Sequence, residues 1–466
     1  MNTNNTSNTP QGSPLTIVAA AIATLGLLSL LPWGELTGNK LKDFSLISDI
    51  LHSAPVEYIT EEIIDPALEA ELAKYETETT ETTETADVEI AEEPAVITHS
   101  EPHTPVPGAI EDYSGGTAIA RLKAAAASGT IRGAMIGDSY IEGDIFSGSI
   151  RRRLQDRFGG QGVGYVPMTT AVAGFRRTVR IRSEGFTAHD IRNDRKDSLH
   201  TLPGEYFTAA PGAKISFQGE KGGTHTASWQ RVRLLYVAPA DGEISYSTDN
   251  CSTWNTVQVT ASPAVQCFNN PLSGPHLDIS CNVPGLVVFG AWLDSPSGAS
   301  LDCMSLRGYS GISHRSISIA TARGMASMGG PDYDLIAVEY GMNALSSQQT
   351  EYTAYGNIMK RVLLRIKACY PEACVVMLGV GDRGQKQGTE VGSLATTAAI
   401  VDAQRKAAKE AGVMFWDMRE AMGGEGSVVA WRERGLINAD YIHLNHKGGE
   451  EMGRLFVESL MQVIDE

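Results

Sequence analysis

The sequence predicts an α/β domain built on a parallel sheet, with a second, β-rich domain inserted into it. Short apolar segments such as Ile131–Ile136 and Leu335–Tyr340 alternate with amphipathic helices such as Phe146–Phe158, where apolar residues recur every four positions. Between residues 168 and 303 the pattern changes to short strands punctuated by Gly, Pro, Asp and Asn. Alternating strands and helices form parallel sheets covered on both faces, whereas closely spaced short strands are typical of a β-sandwich.

The first element along the chain is an apolar run. Leu15–Trp33 holds 19 residues without a charge. At about 1.5 Å per residue it is roughly 28 Å long, enough to span a bilayer. No Lys or Arg lies in the preceding tail, residues 1–14, so the run lacks the basic start of a signal peptide. The sequence therefore predicts an uncleaved single-pass anchor rather than a buried core helix, although the flanking charges do not fix its orientation.

An acidic linker follows over residues 34–112. Its part from Glu57 to Asp112 holds 17 acidic residues and one basic residue, Lys74, which accounts for nearly all of the net charge of −17 of the whole chain. Such a low-complexity, like-charged segment cannot bury enough apolar surface to fold, and it serves as an extended spacer. Because no basic surplus remains elsewhere, nucleic acid is not an expected partner, and the acidity says nothing about the substrate.

The α/β domain is predicted over residues 113–167 and 304–466, and the inserted β-sandwich over 168–303. The predicted helices are Gly115–Ser128, Phe146–Phe158, Thr350–Ala368, Leu394–Ala411 and Glu450–Ile464, and the later strands are Leu335–Tyr340, Cys374–Val380 and Val413–Trp416. The insert's strands are predicted at Lys214–Phe217, Arg231–Tyr236, Glu243–Thr248, Thr256–Val259 and Gly285–Trp292.

All six cysteines follow the linker, and none has the paired spacing of a zinc site. An even number in an exported domain suggests disulfides. Cys369 and Cys374 flank a predicted turn and are expected to close a small loop. The other four, which lie between Cys251 and Cys303, allow three pairings that the sequence does not decide, and buried free thiols are the alternative.

Ser139 is the candidate nucleophile. It follows the strand Ile131–Ile136 at once and precedes the helix Phe146–Phe158, so its hydroxyl is expected at the carboxyl edge of the sheet, where open α/β folds place ligands. Backbone N–H groups of the next turn can bind an oxyanion there. Gly-Asp-Ser alone is weak evidence, because a strand-end turn with local Asp and Ser hydrogen bonds has the same sequence.

Three later motifs supply the other groups that acyl transfer needs. His443 is the candidate general base, and Asp440, three residues earlier, is expected to orient its imidazole. Asn343 and the backbone N–H of Gly311 are expected to complete the oxyanion hole with the N–H of Ser139. The alternatives left open are His446 as base, Gly308 in place of Gly311, His314 as a site-lining residue, and Asp138 as a catalytic rather than a turn-stabilising residue.

In this order the motifs resemble the four blocks of the SGNH (GDSL) hydrolase family. The blocks are Gly137-Asp138-Ser139, Gly311, Gly341-x-Asn343 and Asp440-x-x-His443. The resemblance implies a flavodoxin-like three-layer fold and an ester-cleaving serine enzyme with Ser139, Asp440 and His443 as catalytic residues. It implies no cofactor and no metal.

The β-rich insert between the first two blocks is similar to that of Gram-negative peptidoglycan O-acetylesterases, although Tyr140 stands where that subgroup is expected to have His. The resemblance implies an esterase that removes O-acetyl groups from a cell-envelope glycan. The apolar run, the acidic spacer and the cysteines together predict that it is held in the inner membrane with its catalytic domain in the periplasm. An O-acetyltransferase with the same acyl-enzyme is the first alternative. A non-catalytic glycan-binding scaffold is the second.

The insert is expected to bind or position glycan rather than perform chemistry. Its candidate sugar-stacking residues are Trp229, Trp254 and Trp292, because a flat indole can cover the apolar face of a sugar. Each of them is more often a core residue, since Trp is highly buried on average.

Overall fold

The computed structural model describes residues 108–171, 174–193 and 199–466. The predicted anchor, Leu15–Trp33, and nearly all of the acidic linker lie outside these residues. Within the described ranges, no helix combines the length and apolar character needed to cross a bilayer.

A six-stranded sheet forms the centre of the α/β domain. Its strands, in spatial order, are β1 (Ile110–Asp112), β17 (Met414–Asp417), β14 (Cys374–Gly379), β13 (Leu335–Glu339), β2 (Thr130–Gly137) and β12 (Gly298–Ser305). All neighbours are parallel except β1, which pairs antiparallel with β17. The carboxyl ends of the adjacent strands β13, β2 and β12 therefore meet at one edge.

Eight helices belong to this domain in the described part of the chain. They are α1 (Thr117–Ser128), α2 (Ser147–Phe158), α3 (Ile319–Ser327), α4 (Thr353–Cys369), α5 (Thr397–Ala411), α6 (Met418–Met422), α7 (Ser427–Glu433) and α8 (His446–Asp465). Helix α8 packs against α1 and α2, while α4 packs against α3 and α5. These two groups cover the sheet as the outer layers of a three-layer α/β fold, so the predicted flavodoxin-like class is confirmed.

The inserted domain is an antiparallel nine-stranded sheet with its own apolar core. Its strands are β3 (Gly164–Val166), β4 (Val179–Asp190), β5 (Glu205–Gly219), β6 (Arg231–Ala238), β7 (Gly242–Ser247), β8 (Asn255–Val259), β9 (Ser262–Asn270), β10 (His276–Asn282) and β11 (Val287–Asp294). The long strand β5 pairs with β11 through its first residues and with β10 through its last residues. The predicted second β domain is thus present, and its strands form one continuous curled sheet.

The chain changes sheets a few residues away from the predicted boundaries. β3 lies in the segment predicted for the hydrolase domain but pairs with β11 of the insert. β12 lies in the segment predicted for the insert but pairs in parallel with β2 over its whole length. β1 lies at the end of the predicted linker, where Ile110 packs against the hydrolase core. Both faces of β12, GASLDCMS, are buried. Its sequence therefore lacks the alternation of apolar and polar residues that marks a half-buried strand.

The expected disulfides are not formed. All six cysteines lie within the described residues, and all are free thiols. The Cys374 thiol donates instead to the carbonyl oxygen of Ala118 in α1, at 2.9 Å, and Cys369 is buried at the end of α4. Burial raises the pKa of both thiols to about 12, which is the behaviour of inert core cysteines.

Candidate active site

Ser139 lies two residues beyond β2, at the edge where β13, β2 and β12 end. Gly137 makes this turn possible, because a Cβ there would lie 2.6 Å from the carbonyl oxygen of Glu339 on the adjacent strand. Ser139 is half-buried, so its hydroxyl remains accessible. Its Oγ lies 2.9 Å from Nε2 of His443.

The structure brings Asp440 and His443 together with this serine. Nδ1 of His443 lies 2.8 Å from Oδ2 of Asp440, and the other carboxylate oxygen accepts the backbone N–H groups of Ile442 and His443 at 3.0 and 3.1 Å. Tyr441 adopts a positive φ of 56° between them. The Asp-x-x-His segment is therefore a tight turn rather than a helical turn, and the carboxylate fixes both the backbone and the imidazole.

The hydrogen bonds to Asp440 determine its charge state. Burial alone would raise the pKa of this carboxyl, but the His443 imidazole and the backbone N–H groups hold the pKa below its ordinary value. Asp440 thus stays ionised, which is the state that can stabilise a protonated imidazole on His443. The two side chains are 34% and 28% exposed, so water reaches the pair.

Asn343 lies in a one-turn 3₁₀ helix directly after β13 and is buried. Its amide nitrogen donates to Oδ2 of Asp138 at 2.7 Å and to the carbonyl oxygen of Tyr309 at 3.3 Å. The bond to Tyr309 is the longer and weaker of the two, so its hydrogen is the one that an oxyanion would compete for. Asp138 therefore orients the amide, which agrees with a supporting rather than a catalytic position for this carboxyl.

Gly311 begins the 3₁₀ turn Ile312–Ser316 with a φ of 86°. A Cβ at this position would lie 2.5 Å from the Tyr340 ring, whereas Gly308 has open space around it. Gly311 thus lies against the residue that precedes the Gly341-x-Asn343 motif. Among the described residues, no hydrogen bond takes up the N–H of Ser139 or of Gly311.

Two buried carboxyls lie beneath the nucleophile turn. Burial raises the pKa of Asp138 to about 6, although the N–H of Tyr140, the charge of His443 and the Asn343 amide favour its ionised form. Glu339 is fully buried, and burial followed by the charge of Asp138 raises its pKa well above the ordinary value. Its Oε2 lies 3.4 Å from the N–H of Asp138. Glu339 is therefore the protonated, neutral carboxyl of the pair, and Asp138 is the one that carries the negative charge.

The structure separates the remaining candidate residues from the serine. His446 begins α8, whose cap is Asn445, and is not hydrogen-bonded to Ser139. His314 is fully buried, with Nε2 3.0 Å from the carbonyl oxygen of Leu202, and burial lowers its pKa to about 4. Trp229 and Trp292 are core residues, as the average behaviour of Trp predicts, whereas Trp254 is 40% exposed.

One functional feature was not anticipated from the sequence. Between Ser139 and α2 the chain forms a turn, Glu142–Asp144, in which Gly143 and Asp144 both have positive φ. The Asp144 carboxylate is buried and accepts from Arg151, Arg176 and Thr178. The charge of Arg151, opposing the effect of burial, holds its pKa far below the ordinary value. The only sequence signal is the basic run Arg151-Arg152-Arg153 in a helix with a buried face.

No group of three or more His, Cys, Asp or Glu side chains with the arrangement of a metal site occurs among residues 108–171, 174–193 and 199–466.

Comparison with known proteins shows which family and which solved structures this chain resembles. Residues 288–450 match the sequence model of the GDSL-like lipase/acylhydrolase family, a range that holds Gly311, Asn343, Asp440 and His443 and begins after Ser139. A solved peptidoglycan O-acetylesterase structure superimposes with a TM-score of 0.63 at 22% identity, covering 76% of this chain and 99% of that one. The structure of a family two carbohydrate esterase from Cellvibrio japonicus aligns over 62% of this chain and 98% of that one, at 12% identity and with a TM-score of 0.27. Curated proteins provide no match.

An α/β fold with a serine, a histidine and an aspartate joined at the carboxyl edge of the sheet is that of a serine hydrolase. Residues 288–450 are similar to the GDSL-like lipase/acylhydrolases, and the fold resembles that of the peptidoglycan O-acetylesterase structure.

Proposed function

We propose that this protein is a serine esterase that removes O-acetyl groups from a cell-envelope glycan, with acetylated peptidoglycan as the substrate. The observation that carries the proposal is the unbroken chain of contacts from Ser139 Oγ through the His443 imidazole to the Asp440 carboxylate. This chain lies beside the Asn343 amide at the open edge of the sheet, where an ester carbonyl can approach.

In the first half of the proposed reaction, Ser139 Oγ forms a bond to the acetyl carbonyl carbon while its proton passes to Nε2 of His443. The carbonyl oxygen becomes an oxyanion and accepts from the N–H groups of Ser139 and Gly311 and from the Asn343 amide. The C–O bond to the sugar then breaks, and the sugar oxygen takes the proton from His443. Asp440 stabilises the imidazolium and holds the tautomer that presents Nε2 to the serine.

In the second half, water attacks the acetyl-serine and gives its proton to His443, which returns a proton to Ser139 as acetate leaves. The partial exposure of His443 favours this hydrolytic route, because water reaches the imidazole directly. Transfer of acetate to a sugar hydroxyl would need an acceptor bound in place of that water.

The glycan assignment is supported by the likeness of the fold to the peptidoglycan O-acetylesterase structure, which spans nearly all of that protein. The proposed periplasmic location depends on the sequence, through the apolar run Leu15–Trp33 and the acidic spacer. A reporter fused after Glu466 tests it, and a cytoplasmic signal would contradict it.

The decisive experiment measures acetate released by the purified catalytic protein from O-acetylated peptidoglycan, O-acetylated xylan and 4-nitrophenyl acetate. We expect release from peptidoglycan that is absent in the Ser139→Ala variant. Hydrolysis of 4-nitrophenyl acetate without release from any glycan would contradict the glycan assignment while leaving the esterase class intact. Faster acetate transfer to an added oligosaccharide than to water would favour the transferase.

A further inference from the structure

The segment Phe175–Thr178 enters the inserted domain immediately before β4 and lies against the nucleophile turn. A Cβ on Gly143, four residues after Ser139, would lie 3.1 Å from the backbone oxygen of Phe175 and 3.3 Å from its Cβ. The inserted domain therefore contributes a side chain next to the turn that carries the serine, although it contributes no member of the catalytic set.

Alternate residues of this segment have opposite environments. Arg176 and Thr178 point inward, where they bind Asp144 with distances of 3.0 and 2.5 Å, and Arg176 also donates to the carbonyl oxygens of Tyr165 and Val163. Phe175 and Arg177 are exposed. Arg176 and Thr178, which are bound to Asp144, lie on either side of Arg177 and hold the backbone of this segment just before β4.

The exposed side chains have an unusual combination of properties. The Phe175 side chain is 58% exposed, the largest value among the exposed large apolar residues of the described chain. Isolated exposed apolar residues are common and need no explanation by themselves. Phe175 differs because the next residue, Arg176, is held by an ion pair with the buried Asp144, and because its backbone lies against Gly143, four residues after Ser139.

Arg177 is the second exposed residue of this segment, two positions after Phe175. After the effect of burial, the positive charge of Arg177 lowers the pKa of His446, the first residue of α8. The segment thus presents an exposed apolar ring followed two residues later by an exposed cation.

We propose that Phe175 and Arg177 form a saccharide subsite for the polymeric substrate, next to the sugar whose acetyl group is cleaved. The Phe175 ring covers the apolar face of that saccharide, and the Arg177 guanidinium binds a carboxylate on it. This subsite rests on the proposed glycan esterase function and specifies which part of the substrate the insert recognises. Its ligand is an acidic pyranose unit within a polymer, as opposed to a free acetate ester.

The test compares Phe175→Ala, Phe175→Tyr and Arg177→Gln with a control, Val257→Ala. Val257 is an exposed apolar residue of the same domain, on β8. Substrates are 4-nitrophenyl acetate, O-acetylated peptidoglycan and neutral O-acetylated xylan. We expect Phe175→Ala to lower kcat/KM on peptidoglycan by roughly tenfold through KM, the scale of one lost aromatic contact. Phe175→Tyr should restore it, and 4-nitrophenyl acetate hydrolysis should be unchanged.

Arg177→Gln should lower kcat/KM on peptidoglycan and leave kcat/KM on xylan unaffected, and Val257→Ala should change neither. Co-sedimentation of the Ser139→Ala protein with the polymer, with and without Phe175→Ala, measures binding without turnover, and we expect the double variant to bind more weakly. Unchanged peptidoglycan kinetics in Phe175→Ala, or equal loss on the small ester, would overturn the subsite while leaving the esterase proposal intact. A wild-type protein without activity on any glycan would instead refute the proposed function, and the subsite with it.

Discussion

The hydrolase sheet and the inserted sheet present their functional side chains in different physical states. At the edge of the hydrolase sheet, Ser139, His443 and Asp440 are polar, partly buried and tied to one another by hydrogen bonds. In the insert, Phe175, the proposed sugar-contacting residue, is apolar and exposed. Polar catalytic groups need exact partners, whereas an aromatic contact residue needs only a fixed backbone and an open face. The comparison teaches that chemistry and recognition can come from different domains of one chain, and that each can be removed separately.

The largest expected effect is on the chemistry alone. Ser139→Ala and His443→Ala should each lower kcat on 4-nitrophenyl acetate by about 10⁵–10⁶, because nucleophile and base act as a unit. Asp440→Asn should retain more activity, with a loss of about 10⁴, because the imidazole remains but its tautomer is wrong. Steady-state kinetics on correctly folded protein measure these losses, with His446→Ala as the control expected to remain active. Wild-type rates in the Ser139→Ala variant would refute the serine mechanism.

Asp144→Asn should damage both regions, because this carboxylate joins the nucleophile turn to the Phe175 segment. Removing its charge leaves the fully buried Arg151 unpaired, which costs about 3–5 kcal/mol of unfolding free energy. Asn tolerates the positive φ of position 144, so backbone strain does not confuse the result. Urea denaturation measures the loss.

The matched control for Asp144 is Asp465→Asn, which removes an exposed ion pair with Arg157 and should leave stability unchanged. Equal stabilities of the two variants would show that the buried network does not hold the turn.

Asn343→Ala separates transition-state stabilisation from binding. We expect kcat to fall by about 10²–10³, the cost of one oxyanion donor, with little change in KM. The loss should be the same on small and polymeric esters, unlike that of Phe175→Ala. A raised KM at unchanged kcat would make Asn343 a substrate-binding residue instead.

Glu339→Gln is expected to stabilise the protein at neutral pH. The pKa of Glu339 is raised by burial, so the folded state holds a proton that the unfolded chain releases above about pH 4.3, and wild-type stability falls as pH rises from there towards the folded pKa. Gln has no such dependence. The free energy of unfolding of the variant should therefore exceed that of the wild type by more at about pH 7 than at about pH 4. Denaturation curves are recorded for both proteins at both pH values. The same difference in unfolding free energy at the two pH values would contradict the assignment of Glu339 as a neutral acid.

The sequence was sufficient for the hydrolase fold and for the proximity of its proposed site residues, because these depend on local patterns. Short apolar strands followed by Gly-Asp-Ser or Gly-x-Asn place polar groups at one sheet edge whatever the details of packing. Phe175 could not be found in the same way. Nothing in its neighbours distinguishes it from Trp229, which is buried, since exposure depends on contacts with distant residues such as Gly143. The same limit applies to the cysteines. The spacing of Cys369 and Cys374 allowed a disulfide, but Cys374 is instead buried against α1 as a free thiol.

The order of the strands also determines when the enzyme can become active during its synthesis. Strand β2 is complete once Gly137 has been made, but its neighbours β12 and β13 begin only at Gly298 and Leu335. At about 5–20 residues per second the ribosome needs roughly ten to thirty seconds to reach the first of them. During that interval the contiguous strands β3–β11 can complete their own core, while β2 waits as an unpaired apolar segment. His443, just before α8, is the last of the three catalytic residues to be synthesised. A nascent chain therefore carries Ser139 for most of translation without the general base that would make it reactive.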